Sequence, residues 1–203
     1  PEKPVQDPWL LTPGPLTTSR TVKEAMLHDY GSRDLRFIEI NRRVRERLVE
    51  IIDGQGTHVC VPLQGSGTFV VEAMLSNFVP RSGKVLILVN GAYGTRMQSI
   101  CAYHGIDSEV LQWPEDEPVD PNKAAERLAG APGITHVAVV HCETTTGILN
   151  PIEAVGEVVA AAGRSLLIDS MSAFGALSIS ARNIQFDALV ASSNKCLEGA
   201  PGM

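Results

Sequence analysis

What most constrains this chain is an alternation. Five short runs rich in Val, Ile and Leu, at residues 59–63, 85–89, 137–140, 166–168 and 188–191, are separated by stretches of helical periodicity at 68–78, 96–104, 122–128 and 152–162. Continuous apolar runs of that length read as strands buried on both faces, and strands alternating with helices build a largely parallel sheet flanked by helices, an α/β fold. Upstream, Phe37, Ile40, Val44, Leu48 and Ile51 recur at three- and four-residue intervals with arginines between them, which predicts an amphipathic helix. Pro1, Pro4, Pro8, Pro13 and Pro15 remove backbone donors from the opening stretch. Residues 1–20 are therefore expected to form an extended, proline-rich arm and residues 21–203 one large domain, since no repeat or low-complexity tract marks a second.

A net charge of -6 argues against a broad polyanion-binding surface, so nucleic acid is not an expected partner, although a few groups suffice for a local anion pocket. The opening stretch carries no charged-then-apolar leader, and no segment approaches the roughly 20 apolar residues of a membrane span; the expectation is a cytoplasmic protein with no membrane partner. Cys60, Cys101, Cys142 and Cys196 form no CxxC pair and read as buried free thiols, not as a zinc site or a disulfide framework. No metal is expected.

In an open parallel sheet the carboxyl ends of the strands form the usual ligand crevice, which directs attention to the residues just after each apolar run. Gly65-Ser66-Gly67-Thr68 follows the first run and precedes a helix. Its hydroxyls and the first free amides of the helix could cradle a phosphate, though the same residues also make an ordinary helix cap. The lysine of a P-loop is missing, as is the acidic residue that a dinucleotide fingerprint places about 20 positions onward. Asn90-Gly91-Ala92-Tyr93-Gly94 reads as a turn whose aromatic ring could lie flat against a planar ligand. In His141-Cys142-Glu143-Thr144-Thr145-Thr146-Gly147 the successive hydroxyls could bond a ligand oxygen or simply build the turn. His141 and Glu143 have no third metal ligand of suitable type nearby, and a structural histidine is the favoured reading. Asp169 closes one strand run and Lys195 follows another. A carboxylate so placed can hold a proton on a heterocyclic nitrogen, and a desolvated lysine can act as a nucleophile. Together they are the two groups pyridoxal phosphate requires; separately, each would read as solvated charge.

The segments LLTPGPLTTS, LQGSGT, NGAYG, HCETTTGILNP, IDSMSAFG and SSNKCLEGAPG, in that order and at that spacing, resemble the class V aminotransferases of fold type I, from about residue 9 to the last residue. The resemblance implies pyridoxal 5'-phosphate as cofactor, with Lys195 forming the Schiff base and Asp169 pairing with the pyridine nitrogen. Ser66, Gly67, Thr68 and Asn194 would hold the phosphate, Tyr93 would stack on one ring face and Met171 would pack on the other. Thr144 would contact the phenolic oxygen, and Gly14 would approach the substrate.

Within the family, the likeness is closest to members that pass the amino group of 2-aminoethylphosphonate to pyruvate, giving phosphonoacetaldehyde and L-alanine in phosphonate degradation. The alternatives are an alanine- or serine-glyoxylate aminotransferase, a catalytically silent fragment of such an enzyme, or a simple anion-binding module. The family also implies a homodimer, because it builds its sites at a two-fold interface, with the amino donor and pyruvate as small-molecule partners. Members run well beyond 203 residues, so the smaller C-terminal domain and its anion-binding arginine are expected to be absent from this sequence, which stops soon after Lys195.

Overall fold

A computed structural model describes residues 7–202, so Pro1 and Pro4 of the expected arm lie outside the described residues. Residues 7–19 run without helix or strand up to α1 (Arg20–Ala25), which is capped by the Ser19 hydroxyl accepting from the Val22 amide. α2 (Leu35–Ile51) carries the predicted apolar series and is capped by Asp34, but none of its residues is buried. Phe37, Ile38, Val44 and Ile51 remain exposed on it.

The rest is a three-layer sandwich. β1 (Lys84–Val89), β2 (Asp107–Gln112), β3 (His136–Val140), β4 (Ser165–Asp169) and β5 (Ala188–Val190) form one sheet in the order β2-β1-β3-β4-β5, with every pairing parallel. Side chains alternate along each strand, and each face has its own core. Leu86, Leu88, Val137, Val139, Leu166 and Ile168 pack with α5 (Pro121–Ala129) and α6 (Ile152–Ala161). Val85, Ile87, Val89, Ala138, Val140 and Leu167 pack with α3 (Gly67–Phe78) and α4 (Ala92–His104). Among the described residues, no helix is long and apolar enough to cross a membrane.

Three expectations need correction. Residues 59–63 are not a strand: no described strand lies alongside, Pro62 has no amide to donate, and Val59 and Val61 stay 78% and 67% exposed. β2 went unrecognised because Asp107-Ser108-Glu109-Val110-Leu111-Gln112 mixes polar and apolar residues, as befits an edge strand only partly buried. The Asn90–Gly94 segment is not a free turn, since Ala92, Tyr93 and Gly94 already form the first turn of α4.

β1 leads towards β2 on one side, while β3, β4 and β5 follow on the other. At the point of divergence sits a buried amide pair. Asn90 Nδ2 donates to Asn150 Oδ1 at 2.9 Å, and Asn150 Nδ2 donates back to Asn90 Oδ1 at 3.1 Å. Asn150 also donates to the Val140 carbonyl at 2.8 Å and accepts from the Val119 amide at 3.0 Å. Replacing Asn150 by Ala would strand these buried groups without partners, so we expect Asn150→Ala to lower the unfolding free energy by about 2–4 kcal/mol in urea titration. A loss below about 0.5 kcal/mol would show that the pair does not hold the strand ends together.

Candidate active site

The carboxyl edge of the sheet opens into a cavity of about 200 Å³. Four segments line it. Ser66, Gly67, Thr68 and Val71 come from the start of α3, Tyr93 and Arg96 from α4, Asp169 and Met171 from the end of β4 and the turn after it, and Ser192, Asn194 and Lys195 from the loop after β5. Gly14 of the arm completes the wall.

The α3 start is built to present donors. The Ser66 hydroxyl accepts from the Phe69 amide and so caps the helix, while the Gly67 and Thr68 amides fall in the first turn, where no intrahelical acceptor exists. Both readings of this segment therefore hold at once: it is a cap, and it faces the cavity. Gly67 lies tight against Met171, whose Sδ would be 3.1 Å from a Cβ at that position. Gly14 is tighter still, for a Cβ there would collide with Lys195 Cδ. The arm thus rests directly on the lysine side chain, helped by the Leu16 amide donating to the Asn194 carbonyl at 3.3 Å.

Asp169 lies two residues beyond Leu167 and shares its face, turned towards α3 and α4. It is 2% exposed. Burial pushes its carboxyl up to about 6, and the nearby Glu143 charge acts in the same direction; the Met171 amide, donating to Oδ1 at 3.0 Å, and the more distant Arg96 and Lys195 charges oppose them. A carboxyl poised near neutrality can share a proton with a basic heteroatom.

Glu143 is the residue whose importance the sequence concealed. It is fully buried, and Oε1 accepts from the Gly94 amide at 2.9 Å and the Tyr93 amide at 3.1 Å. A carboxylate from the loop after β3 thereby caps α4, whose own N-cap, Gly91, offers no side chain. A Cβ on Gly91 would collide with Glu143 Cδ at 2.7 Å, so the glycine leaves room for the acid. His141 shares its Nδ1 with the Ser170 hydroxyl at 3.1 Å, and burial pulls its imidazole below the ordinary value.

Thr144 stands apart from the other expected residues. It does not line the cavity, and its hydroxyl is hydrogen bonded to Ser172. Thr146 Oγ1 accepts from the Ile148 amide at 3.4 Å, which is turn chemistry. Conversely, Val71, Arg96 and Ser192 line the cavity without having been singled out. Arg96 could have been found, because it lies three residues after Tyr93 and so shares a helix face with it; Glu143 could not, because its partners are some fifty positions away.

Comparison with known proteins agrees with this architecture. The family model for aminotransferase class-V matches residues 19–203. The chain is 55% identical to a 2-aminoethylphosphonate--pyruvate transaminase 2 of Burkholderia lata over 97% of its own length and 52% of that protein. It is 56% identical to a 2-aminoethylphosphonate--pyruvate transaminase of Pseudomonas aeruginosa over 97% of this chain and 53% of that one. Among solved structures, an alanine--glyoxylate aminotransferase of Nostoc sp. superposes with a TM-score of 0.88 at 28% identity, covering 100% of this chain and 54% of the other. The chain spans about half the length of the curated relatives it matches. Its parallel sheet, flanked by helices on both faces, is the fold type I architecture, and pyridoxal 5'-phosphate is the cofactor of these enzymes. This chain belongs to the class V aminotransferase family.

Proposed function

We propose that the protein is a pyridoxal-phosphate-dependent transaminase that moves the amino group of 2-aminoethylphosphonate to pyruvate, releasing phosphonoacetaldehyde and L-alanine. The observation that carries the reading is the convergence of Lys195 and a near-neutral, buried Asp169 on one cavity whose wall includes the donor-rich start of α3. The names of the relatives at 55% and 56% identity supply the substrates. An alanine-glyoxylate aminotransferase is the second reading, favoured by the solved Nostoc structure. Parallel assays with 2-aminoethylphosphonate and with L-alanine plus glyoxylate separate the two.

The residues present fit the cofactor. A Cβ on Gly67 would press on Met171, so the glycine keeps open a cradle at the helix start. In this reading Ser66, Gly67, Thr68 and Asn194 would hold the phosphate, Tyr93 and Met171 would flank the ring, Lys195 Nζ would carry the covalent link, and Thr144, outside the cavity lining, would reach the phenolic oxygen only by giving up its hydrogen bond to Ser172. The cofactor supplies an electron sink for the bond-breaking step. Asp169 keeps a proton at the ring nitrogen. Lys195 Nζ, once displaced by the incoming amine, would take the proton from the amino-bearing carbon as a base and give it up again as an acid. Gly14, packed on the Lys195 stem, limits where that amine can swing and borders the substrate.

Residues 7–20 serve as an arm that closes over the lysine, and residues 21–202 as the cofactor-binding large domain. A second copy of the chain covers the exposed apolar side chains of α2, giving a homodimer. A cytoplasmic location belongs to the same reading, in keeping with free thiols at Cys60, Cys101, Cys142 and Cys196.

Lys195→Ala in the full-length protein is expected to abolish turnover and the borohydride-trapped cofactor adduct seen by mass spectrometry in wild type; retention of both would defeat the assignment. Sedimentation should find a dimer, and a fully active monomer would contradict the two-fold arrangement. Asp169 also makes a stability prediction. Its carboxyl is raised from 3.8 to about 6, so it favours the folded state fully below pH 3.8 and loses that contribution as pH climbs through 6. Without cofactor, Asp169→Asn should therefore be more stable than wild type at pH 8, on the order of 2–3 kcal/mol by urea unfolding, with little difference near pH 4. Equal stabilities at both pH values would mean that no ionised carboxylate is buried there.

A further inference from the structure

Only three charged side chains line the cavity among the described residues: Asp169, Lys195 and Arg96. The first two have roles in the reading above. Arg96 has none, yet its surroundings are specific. Its Nη1 donates to Thr68 Oγ1 at 3.2 Å, and its Cζ lies 4.6 Å from the centroid of the Tyr93 ring, within cation–π range. No ion pair among the described residues includes it. A guanidinium has five N–H donors, and one hydrogen bond to a neutral hydroxyl leaves most of that capacity unspent.

The start of α3 complements this. Ser66, Gly67 and Thr68 are neutral, so an anion seated on them meets hydroxyls, amides and the helix dipole but no formal positive charge from that segment. The cation that a P-loop would provide by its lysine is missing from the sequence there. Arg96 reaches the same spot from α4. Its contact with Thr68 brings the charge to the edge of the cradle, and the Tyr93 ring beneath it holds the planar group in place.

We propose that Arg96 is an anion-binding residue of this cavity, contributing to the phosphate end of the cofactor the formal positive charge that the α3 start lacks. The inference rests on the pyridoxal phosphate reading of the site and adds one residue to it. Arg96 ties ring recognition to phosphate recognition, because one side chain touches both Tyr93 and Thr68. Its effect falls on ligands that carry a phosphate and spares those that do not.

The test compares wild type, Arg96→Gln and Arg96→Lys, as full-length protein stripped of cofactor. Each is titrated with pyridoxal 5'-phosphate and with pyridoxal, followed by absorbance and by mass spectrometry of the borohydride-reduced adduct. Arg96→Gln is expected to raise the Kd for pyridoxal 5'-phosphate about tenfold or more while changing that for pyridoxal by no more than about twofold. Arg96→Lys, which keeps the charge, should retain most of the phosphate preference. Calorimetry with inorganic phosphate should show binding to wild type and weaker binding to Arg96→Gln.

Equal weakening of both aldehydes in Arg96→Gln would overturn the proposal, since it would mean that Arg96 acts through the Tyr93 ring alone. Unchanged affinities, or an Arg96→Lys protein as poor as Arg96→Gln, would overturn it as well. Failure of wild type itself to bind either aldehyde at Lys195 would sink the underlying reading, and this inference with it. That outcome is visible without any variant.

Discussion

Parallel pairing is the constraint from which the site follows. Two parallel neighbours cannot be joined by a tight turn, so the chain must cross the sheet and re-enter every strand from the same end. With all five strands parallel, the loops that leave them emerge together along one edge. Tyr93 after β1, Asp169 at the end of β4 and Lys195 after β5 are distant in sequence, yet this geometry gives them a common rim. The two apolar faces, covered by α3 and α4 on one side and α5 and α6 on the other, fix the strands rigidly enough for that rim to be a defined surface.

On that rim the protein buries more carboxylate than stability alone would favour. Glu143 and Asp169 are both almost inaccessible to water, and the Glu143 charge adds to the burial that makes Asp169 harder to ionise. They resolve the conflict differently. Glu143 accepts from two backbone amides at the start of α4. Asp169 accepts from a single amide, and burial pushes its carboxyl up to about 6. The same environment that costs folding free energy at Asp169 is what suits it to hold a proton against a ring nitrogen.

Much of this could be read from the sequence, for identifiable reasons. Four of the five apolar runs are strands, and all four helical stretches between them are helices, because burial on both faces writes continuous apolar runs and caps such as Ser66 write helix starts. The failures share a cause. Residues 59–63 have the composition of a strand, but a strand also needs a neighbour; β2 has a neighbour but, at the sheet's edge, not the composition. The cavity is lined by Ser66, Gly67, Thr68, Tyr93, Asp169 and Lys195, which the strand-end segments single out, and by Gly14, Met171 and Asn194, which only the resemblance names. Glu143 as a helix cap escaped because a cap delivered from another loop leaves no local pattern, and Thr144 lies outside the lining with its hydroxyl bonded to Ser172.

Open parallel sheets commonly receive their ligands in the gap where strand order reverses, here between β1 and β3. In this chain that gap is stoppered by the Asn90–Asn150 amide pair, with the Glu143 carboxylate packed beside it. The cavity lies beside that plug, on the α3 and α4 side of the sheet, and reaches from Tyr93 after β1 to Lys195 after β5. A small molecule seated in it lies against the arm that leans on Lys195 and leaves the Asn90–Asn150 pair, which is no part of the lining, undisturbed.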